Sequence, residues 1–388
     1  MIRCNIVNPD SPRDRIWDDW RQPMARTAEE QQMFGPDWFR IWAETWGATG
    51  KWTGQYSLIA AHDEDDTLQG VLALGRPQVG PLTVYATGGH DVPHRGIIAA
   101  TGHEKAVGGA IREFVANQHW PFVQLGPIRD SAPADQAMID QLRELSIHLQ
   151  QQNSYEEITL HAPDSWEEFR VGTLGNKFAR KVEYYERRMA RAGRTEIQHY
   201  RQPSADETQS MFAAMSAIEA ASWMTTREKA VPRFTNAELT RFWTHLTTDY
   251  LAPRDHLDCW IMRFEDRPVS FCFTLTNGST RYAIANNYDN SVKDHRTGST
   301  LYRKMIQDGI ERGVRRFEFG DGDLHYKSLW GANVKGCRRT YVAVPNRLLG
   351  YAATVAHRVK RWAGSRQAPM EEATVIAASS RQPATAGV

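Results

Sequence analysis

The 388-residue sequence predicts an α+β (α/β) fold of two tandem lobes, each a mixed, mostly antiparallel sheet flanked by helices. Three observations lead there. Apolar runs at Tyr56 to Ala61, Leu68 to Leu74 and Leu82 to Ala86 alternate with turn-rich pieces, then give way to a helical pattern and one more strand. The same order returns in the second half, as weak internal symmetry. A chain of this length, 41% apolar, can fill two cores at ~150 residues each.

The elements follow in order. Glu104 to Asn117 reads as a helix with Val107, Ile111, Phe114 and Val115 on one face, and Phe122 to Leu125 as a strand ended by Gly126-Pro127. Ala134 to Gln152 reads as a helix, Tyr155 to His161 as a strand, and Pro163 to Arg191 as a charged linking helix interrupted at Gly172 and Gly175. The boundary falls near Ala162, giving lobes 1–161 and 162–364; the polar stretch 365–388 is expected to lack fixed structure. In the second lobe Ser204-Ala-Asp-Glu207 is a capping box opening a helix with Met211, Met215 and Ile218 at core spacing. That helix delivers Glu219, Ser222 and Trp223 toward the second sheet. Glu238 to Tyr250 carries Leu239, Phe242, Trp243 and Leu246 as a packing stripe. Strands at Leu257 to Phe264, Val269 to Leu275 and Arg281 to Asn286 are linked by turns at Glu265 to Pro268 and Asn277-Gly278. Arg296-Thr-Gly-Ser-Thr300 then opens the helical pattern Leu301 to Arg312, and Phe317-Glu-Phe319 is a strand ended by Gly320.

Charge and cysteine content exclude several classes. The 47 Lys and Arg nearly cancel 46 Asp and Glu, so the chain as a whole is not a strongly basic nucleic-acid binder. Two basic stretches stand out, Lys177 to Arg201 and Lys335 to Arg366, either of which has the charge to meet tRNA, an anionic sugar or lipid headgroups. Cys4, Cys259, Cys272 and Cys337 lack C-x-x-C spacing and suit a reducing compartment, with Cys259 and Cys272 as core residues. No apolar run is long enough to cross a membrane and no signal-type h-region opens the chain, so a cytoplasmic location is expected. The histidines show no metal-ligand spacing, so no metal is expected. Arg347 to Trp362 reads as a basic amphipathic helix that either docks on its own lobe or makes peripheral membrane contact.

Several short segments carry a family resemblance. Gly35-Pro-Asp-Trp-Phe-Arg-Ile-Trp-Ala-Glu-Thr-Trp46, Asn176-Lys-Phe-Ala-Arg-Lys181, Glu219-Ala-Ala-Ser-Trp223, Asn287-Tyr-Asp289 and Phe317-Glu-Phe-Gly-Asp-Gly-Asp-Leu-His-Tyr-Lys-Ser-Leu-Trp330 resemble, in order and spacing, the GNAT acyltransferase superfamily. The likeness is nearest to its CelD-like branch, associated with cellulose and exopolysaccharide biosynthesis and related to the FemABX peptidyltransferases. It implies that both lobes are GNAT-like. It also implies an acyl group moved from acetyl-CoA or another acyl-CoA to an amine or hydroxyl of a small-molecule or sugar acceptor. The FemABX relatives imply an alternative donor, aminoacyl-tRNA. A non-catalytic role in an exopolysaccharide assembly is a third reading.

Such chemistry fixes what to look for. A thioester donor needs a helix N-terminus for its pyrophosphate, and Arg296, Thr297, Gly298, Ser299 and Thr300 are placed to supply it, with His295 at the first loop position. The family's loop pattern is only partly met. Transfer needs a base for the acceptor, an acid for the leaving group and donors for the developing oxyanion. Glu219, Asp289, Asp321 and Asp323 are candidate bases, Tyr326 and Tyr288 candidate acids, and Lys327 a candidate charge partner. Asp323, Tyr326, Lys327 and Glu219 are taken as catalytic; Trp223, Tyr288 and Asp289 as acceptor-binding. Each acid also has the plainer reading of a solvated or capping carboxylate. The first lobe's matching stretch, Thr87 to Gly96, has glycines and Arg95 but is followed by acidic Glu104, so that lobe is expected to be catalytically silent.

Overall fold

The computed structural model describes residues 1–7, 16–45, 56–79, 82–88, 95–118, 120–129, 131–144, 148–222, 233–320 and 324–344. The first half contributes β1 (Arg3–Val7), α1 (Ile16–Met24), α2 (Glu29–Gln32), α3 (Pro36–Glu44), β2 (Tyr56–His62), β3 (Leu68–Gly75), β4 (Gln78–Val79), β5 (Leu82–Thr87), β6 (Ile98–Ala99), α4 (Glu104–Asn117), β7 (Phe122–Arg129), α5 (Pro133–Glu144) and β8 (His148–His161). The second contributes α6 (Trp166–Glu168), α7 (Gly175–Ala192), β9 (Thr195–Tyr200), α8 (Ala205–Ala220), α9 (Ala237–Leu246), β10 (Leu257–Phe264), β11 (Arg267–Asn277), β12 (Thr280–Tyr288), α10 (Thr297–Glu311), β13 (Arg316–Glu318), α11 (Leu324–Ser328) and β14 (Asn333–Val344).

The sheets expected for the two halves are joined as one. Its path is β1-β2-β3-β5-β7-β14-β8-β13-β12-β11-β10-β9. Read from both ends it is a palindrome of the two halves: five strands of each, with the sixth strands exchanged at the middle. β14, from the end of the chain, sits between β7 and β8, and β8 sits between β14 and β13. Each half has one parallel pair at the equivalent place, β5 with β7 and β12 with β13. A helix makes each crossover possible, α4 in one half and α10 in the other.

Burial follows the sequence pattern. Val107, Ile111 and Val115 face a core with Val123, Leu125 and Ile139 on one side of the first half. Leu301, Met305 and Ile306 face Trp260, Cys272 and Phe317 on the matching side of the second. The opposite side of the sheet is covered by α1, α3, α8 and α9 over a core that both halves share, with Trp38 edge-on to Trp243 at 5.8 Å and Phe34 edge-on to Tyr282 at 5.8 Å. The capping box forms as expected, Ser204 accepting from the Glu207 N–H and Glu207 from the Ser204 N–H.

Where the exchanged strands meet, a charged set is buried. Arg129 of β7 pairs with Glu157 of β8 at 2.8 Å and Glu318 of β13 at 3.3 Å, and Arg316 pairs with Glu318 at 2.5 Å. Glu318, inside β13, is therefore buried against arginines. Removing one partner of such a set leaves an uncompensated buried charge, a loss of ~3–5 kcal/mol.

Two segment assignments need correction. β7 does not stop at Gly126-Pro127 but runs on to Arg129, because Ile128 and Arg129 pair with Arg339 and Arg338 of β14, while the Thr87 hydroxyl accepts from the Gly126 N–H at 2.9 Å and donates to the Gly126 carbonyl at 2.8 Å. The helix expected to reach Gln152 ends at Glu144, and His148 onward is strand, since Leu149, Gln150 and Gln151 are paired with Ala343, Val342 and Tyr341 of β14. The segment 345–388, with Arg347 to Trp362 and the polar tail, lies outside the described residues.

Candidate active site

The site is built where β12 and β13 part. They pair only over Thr280–Arg316, Arg281–Phe317 and Tyr282–Glu318. After that the Phe319 N–H turns to the Ile158 carbonyl of β8 at 2.9 Å, and Gly320 takes φ 64°, a conformation glycine adopts without strain. β12 continues to Tyr288, paired on its other side with β11. From Ala283 onward its edge toward β13 has no strand partner among the described residues, which is a place for an extended ligand to add hydrogen bonds.

α10 brings an anion-ready start to this opening. Arg296 is in the left-handed region (φ 52°, ψ 41°) and precedes the helix without a side-chain cap. The Ser299 and Thr300 N–H groups donate back to the Arg296 carbonyl, while those of Thr297 and Gly298 have no partner among the described residues. The Thr297 hydroxyl is buried and also without a partner, and the same holds for His295 Nδ1. Arg296 itself is exposed. A buried hydroxyl without a partner costs stability, and with the free N–H groups beside it the turn holds a set of donors that an acceptor-rich ligand can satisfy.

The helix is held firmly. Arg281, fully buried on β12, donates to the Met305 carbonyl at 2.7 Å, to Asp258 at 2.8 Å and to Asp308 at 2.9 Å. Gly309 lets α10 lie flush on the sheet, since a Cβ there would come within 2.7 Å of Phe317. Burial acts to raise the Asp258 carboxyl, but His199, Arg281 and Arg312 outweigh it and keep it below the usual range. His199, Asp258 and Asp308 have metal-ligand spacing, yet the two carboxylates already bind Arg281 and Arg312.

The Tyr-Lys pair comes to the same place. α11 lays the Tyr326 hydroxyl beside Ser299 and the Trp330 indole, 3.8 Å from where a Cβ on Gly298 would stand. The Tyr326 ring packs on Tyr302 at 5.4 Å, and Tyr302 stacks on Phe319 at 5.4 Å. Burial pushes the Tyr326 phenol up to about 12. Lys327 is buried, and its Nζ donates to the Gly320 carbonyl at 3.2 Å. The structure thus gives Lys327 a holding part at the end of β13, a part the sequence reading did not assign it.

Glu219 also differs from its expectation as a base. It is buried, and its carboxylate accepts from the N–H groups of Arg233, Phe234 and Thr235 at 3.0, 2.7 and 2.8 Å and from the Thr235 hydroxyl at 3.1 Å. Those bonds tie the end of α8 to the lead-in of α9. Next to it, Ser222 bridges to Asp289, and Asn287 donates to the Ser222 hydroxyl at 3.1 Å. Asp289 pairs with Arg267 and accepts from the Ser291 N–H at 2.7 Å; burial acts to raise its carboxyl, but these bonds outweigh it and hold it below the usual value. Tyr288 is half-buried at the end of β12. Trp223, Asp321 and Asp323 lie outside the described residues. What sequence reading missed is Thr87, whose only signal was a hydroxyl at the end of a strand, and Tyr302, taken as one more helix residue.

The first half has the same parts with a different outcome. α4 opens with no side-chain cap from His103, and its own Glu104 carboxylate accepts from the Gly102 N–H at 2.8 Å. β5 and β7 pair over three residues, and the Thr87–Gly126 clasp then closes the gap that stays open between β12 and β13.

Among the described residues no helix is long and apolar enough to cross a membrane. No curated protein matches the chain. Among solved structures, FemX aligns with a TM-score of 0.53 at 12% identity over 88% of this chain and 97% of its own. A conserved protein of unknown function from Bacteroides thetaiotaomicron VPI-5482 aligns at 0.51 and 12% over 89% and 99%. A tandem GNAT protein from the clavulanic acid biosynthesis pathway aligns at 0.49 and 10% over 89% and 99%. At these identities the first two show a shared fold. Residues 176–328 match the acetyltransferase (GNAT) domain, so this segment, α7 to α11, is a domain of the GNAT acetyltransferase kind.

Proposed function

We propose that this protein transfers an acetyl or longer acyl group from acyl-CoA to an amine or hydroxyl of a small-molecule or sugar acceptor, in the manner of the CelD-like branch. The observation that carries the donor is the start of α10: two N–H groups without a partner among the described residues, a buried Thr297 hydroxyl that likewise has none, and the Tyr326 hydroxyl lying beside Ser299 and Gly298 of the same turn. Thr297 to Thr300, with Arg296, would hold the donor's pyrophosphate, and the free edge of β12 would pair with its pantetheine arm. The acceptor attacks the thioester carbonyl, a C–N or C–O bond forms, the C–S bond breaks, and the acceptor's proton leaves to a base. Tyr326, protonated at neutral pH, fits the group that gives a proton to the departing thiolate. Asp323 remains our candidate base, and Trp223, Tyr288 and Asp289 our candidates for holding the acceptor.

The silent first lobe is part of this reading; the Glu104 carboxylate at α4 and the Thr87 clasp both support it. The reading keeps lobe limits of 1–161 and 162–364, with β8 ending at His161. The four cysteines are free, which agrees with a cytoplasmic setting.

The test is ligand-stabilised melting with acetyl-CoA, longer acyl-CoAs and charged tRNA, on the wild type and on Arg296→Ala. A shift with an acyl-CoA that shrinks in the variant is expected. A shift with charged tRNA alone would replace the donor, and no shift with any of them would favour a non-catalytic assembly component.

A further inference from the structure

α7 places its apolar side chains, Ala179, Val182 and Met189, against the core and crosses the first turns of α10. Phe178 is edge-on to Trp330 at 5.2 Å, Trp330 meets Tyr302 at 5.9 Å, and Glu186 pairs with Arg303. The opposite side of α7 is exposed. There Lys177, Lys181, Tyr184, Arg188 and Arg191 recur at alternating spacings of four and three, with Arg180 alongside. At ~100° per residue all six fall within an arc of about 100°. Lys177, Arg180, Lys181, Arg188 and Arg191 have no acidic partner among the described residues, since Glu183 reaches toward Arg187 and Glu186 is taken by Arg303. Tyr184 is 52% exposed in the middle of them.

Isolated surface cations are ordinary, but five unpaired ones in a row around an exposed aromatic ring are not neutral in effect. Together they concentrate positive potential along one face, and a polyanion that neutralises several of them at once releases their counterions. The stripe's shape selects which one. From Lys177 to Arg191 it spans ~21 Å at 1.5 Å per residue and is one helix wide, which suits a strand carrying regularly spaced charges rather than a plane. A membrane surface would also call for apolar residues to insert, and those of α7 are already committed to the core. A tyrosine among cations matches bases stacking between backbone phosphates. We propose that the exposed face of α7 is an RNA-binding surface that takes a single strand through its phosphates, with a base stacked on Tyr184. The surface is separate from the donor site at α10, so either reading can fail without the other.

The experiment uses the full chain and a fluorescein-labelled 20-nucleotide RNA of mixed sequence, followed by anisotropy at 50 and 200 mM NaCl. Five phosphate contacts to a single strand give a log–log salt slope of about −3.5, so the fourfold rise in salt should weaken binding by roughly 100-fold. A Lys181→Glu and Arg188→Glu double variant should bind at least ~10-fold more weakly at 50 mM and show a slope near −2, while keeping its melting temperature and its acyl-CoA shift. Tyr184→Ala should weaken binding by ~5-fold or more with the slope unchanged. Anionic phosphatidylglycerol vesicles and alginate serve as the other polyanions. RNA binding that the double variant does not weaken overturns the proposal, as does failure to bind at tens of micromolar in 50 mM salt. Binding to vesicles or alginate in preference to RNA assigns the stripe to another partner and equally overturns it.

Discussion

Thr297→Val asks whether the start of α10 is kept for a ligand. Valine has nearly the shape of threonine, so the substitution removes the buried hydroxyl and little else. Among the described residues that hydroxyl has no partner. An unsatisfied buried polar group costs ~1–3 kcal/mol, so the variant without ligand should be more stable than the wild type by about 1 kcal/mol or more. With an unfolding entropy of ~0.7 kcal/mol/K for a chain of this size, the melting temperature should rise by roughly 1–4 °C. Donor binding should move the other way. A hydrogen bond to a charged phosphate contributes ~1.5–3 kcal/mol, so Kd for acetyl-CoA should rise by about 10- to 150-fold. Scanning calorimetry and isothermal titration on the same preparation give both numbers. This opposition of signs is what an unfilled ligand site predicts and an ordinary packing position does not. A variant that melts lower and binds acetyl-CoA as the wild type does would refute the assignment.

Three more outcomes follow from the same geometry. Tyr326→Phe keeps the ring on Tyr302 and should lower kcat by roughly 100-fold with the acyl-CoA KM within about twofold, read by steady-state kinetics; an unchanged kcat would leave the leaving thiolate without this acid. Glu219→Gln should lower stability by about 2 kcal/mol and leave the pH profile of turnover in place, because the carboxylate's oxygens serve backbone N–H groups; a lost acidic limb at unchanged stability would make Glu219 the base after all. Burial pushes the Asp135 carboxyl up from its ordinary value of about 4 to about 7. The folded state therefore disfavours the ionised form. Its contribution is fully present below pH ~4 and is lost as pH rises through 7, a decline of about 4 kcal/mol that urea titrations should show in the wild type and not in Asp135→Asn. A stability that holds steady or rises over that window would contradict it.

Local rules were legible and distant ones were not. The Ser204 capping box and the helix Glu104–Asn117 could be read because their partners lie within a few residues. The strand character of Gln150 and Gln151 could not, for it is imposed by β14, some 190 positions away. Glu219 looked like a base because a carboxylate at a helix end has no visible occupants in a sequence; the three N–H groups it serves belong to residues that return only after a long connection. Likewise the anion-ready turn before α10 was legible as residue types, while the state of the Thr297 hydroxyl was not, since it depends on what surrounds it.

The internal symmetry noticed in the sequence becomes informative only when the two parallel pairs are laid on each other. Ala86–Gln124 and Tyr282–Glu318 are the last rungs of each, so Thr87 corresponds to Ala283 and Gly126 to Gly320. In the first half a hydroxyl follows the last rung and fastens the glycine's N–H and carbonyl together. In the second the matching residue is an alanine with nothing to donate, and the Gly320 carbonyl is taken instead by Lys327 from α11. One methyl group in place of a hydroxyl thus leaves the β12 edge unfastened, and a lysine from the Tyr-Lys pair holds the end of β13 where that opening begins. The same helix lays Tyr326 beside the start of α10. In the proposed reaction the pair divides the work: Lys327 holds the Gly320 carbonyl at the strand end where the opening begins, and Tyr326 is the proposed proton donor beside the start of α10.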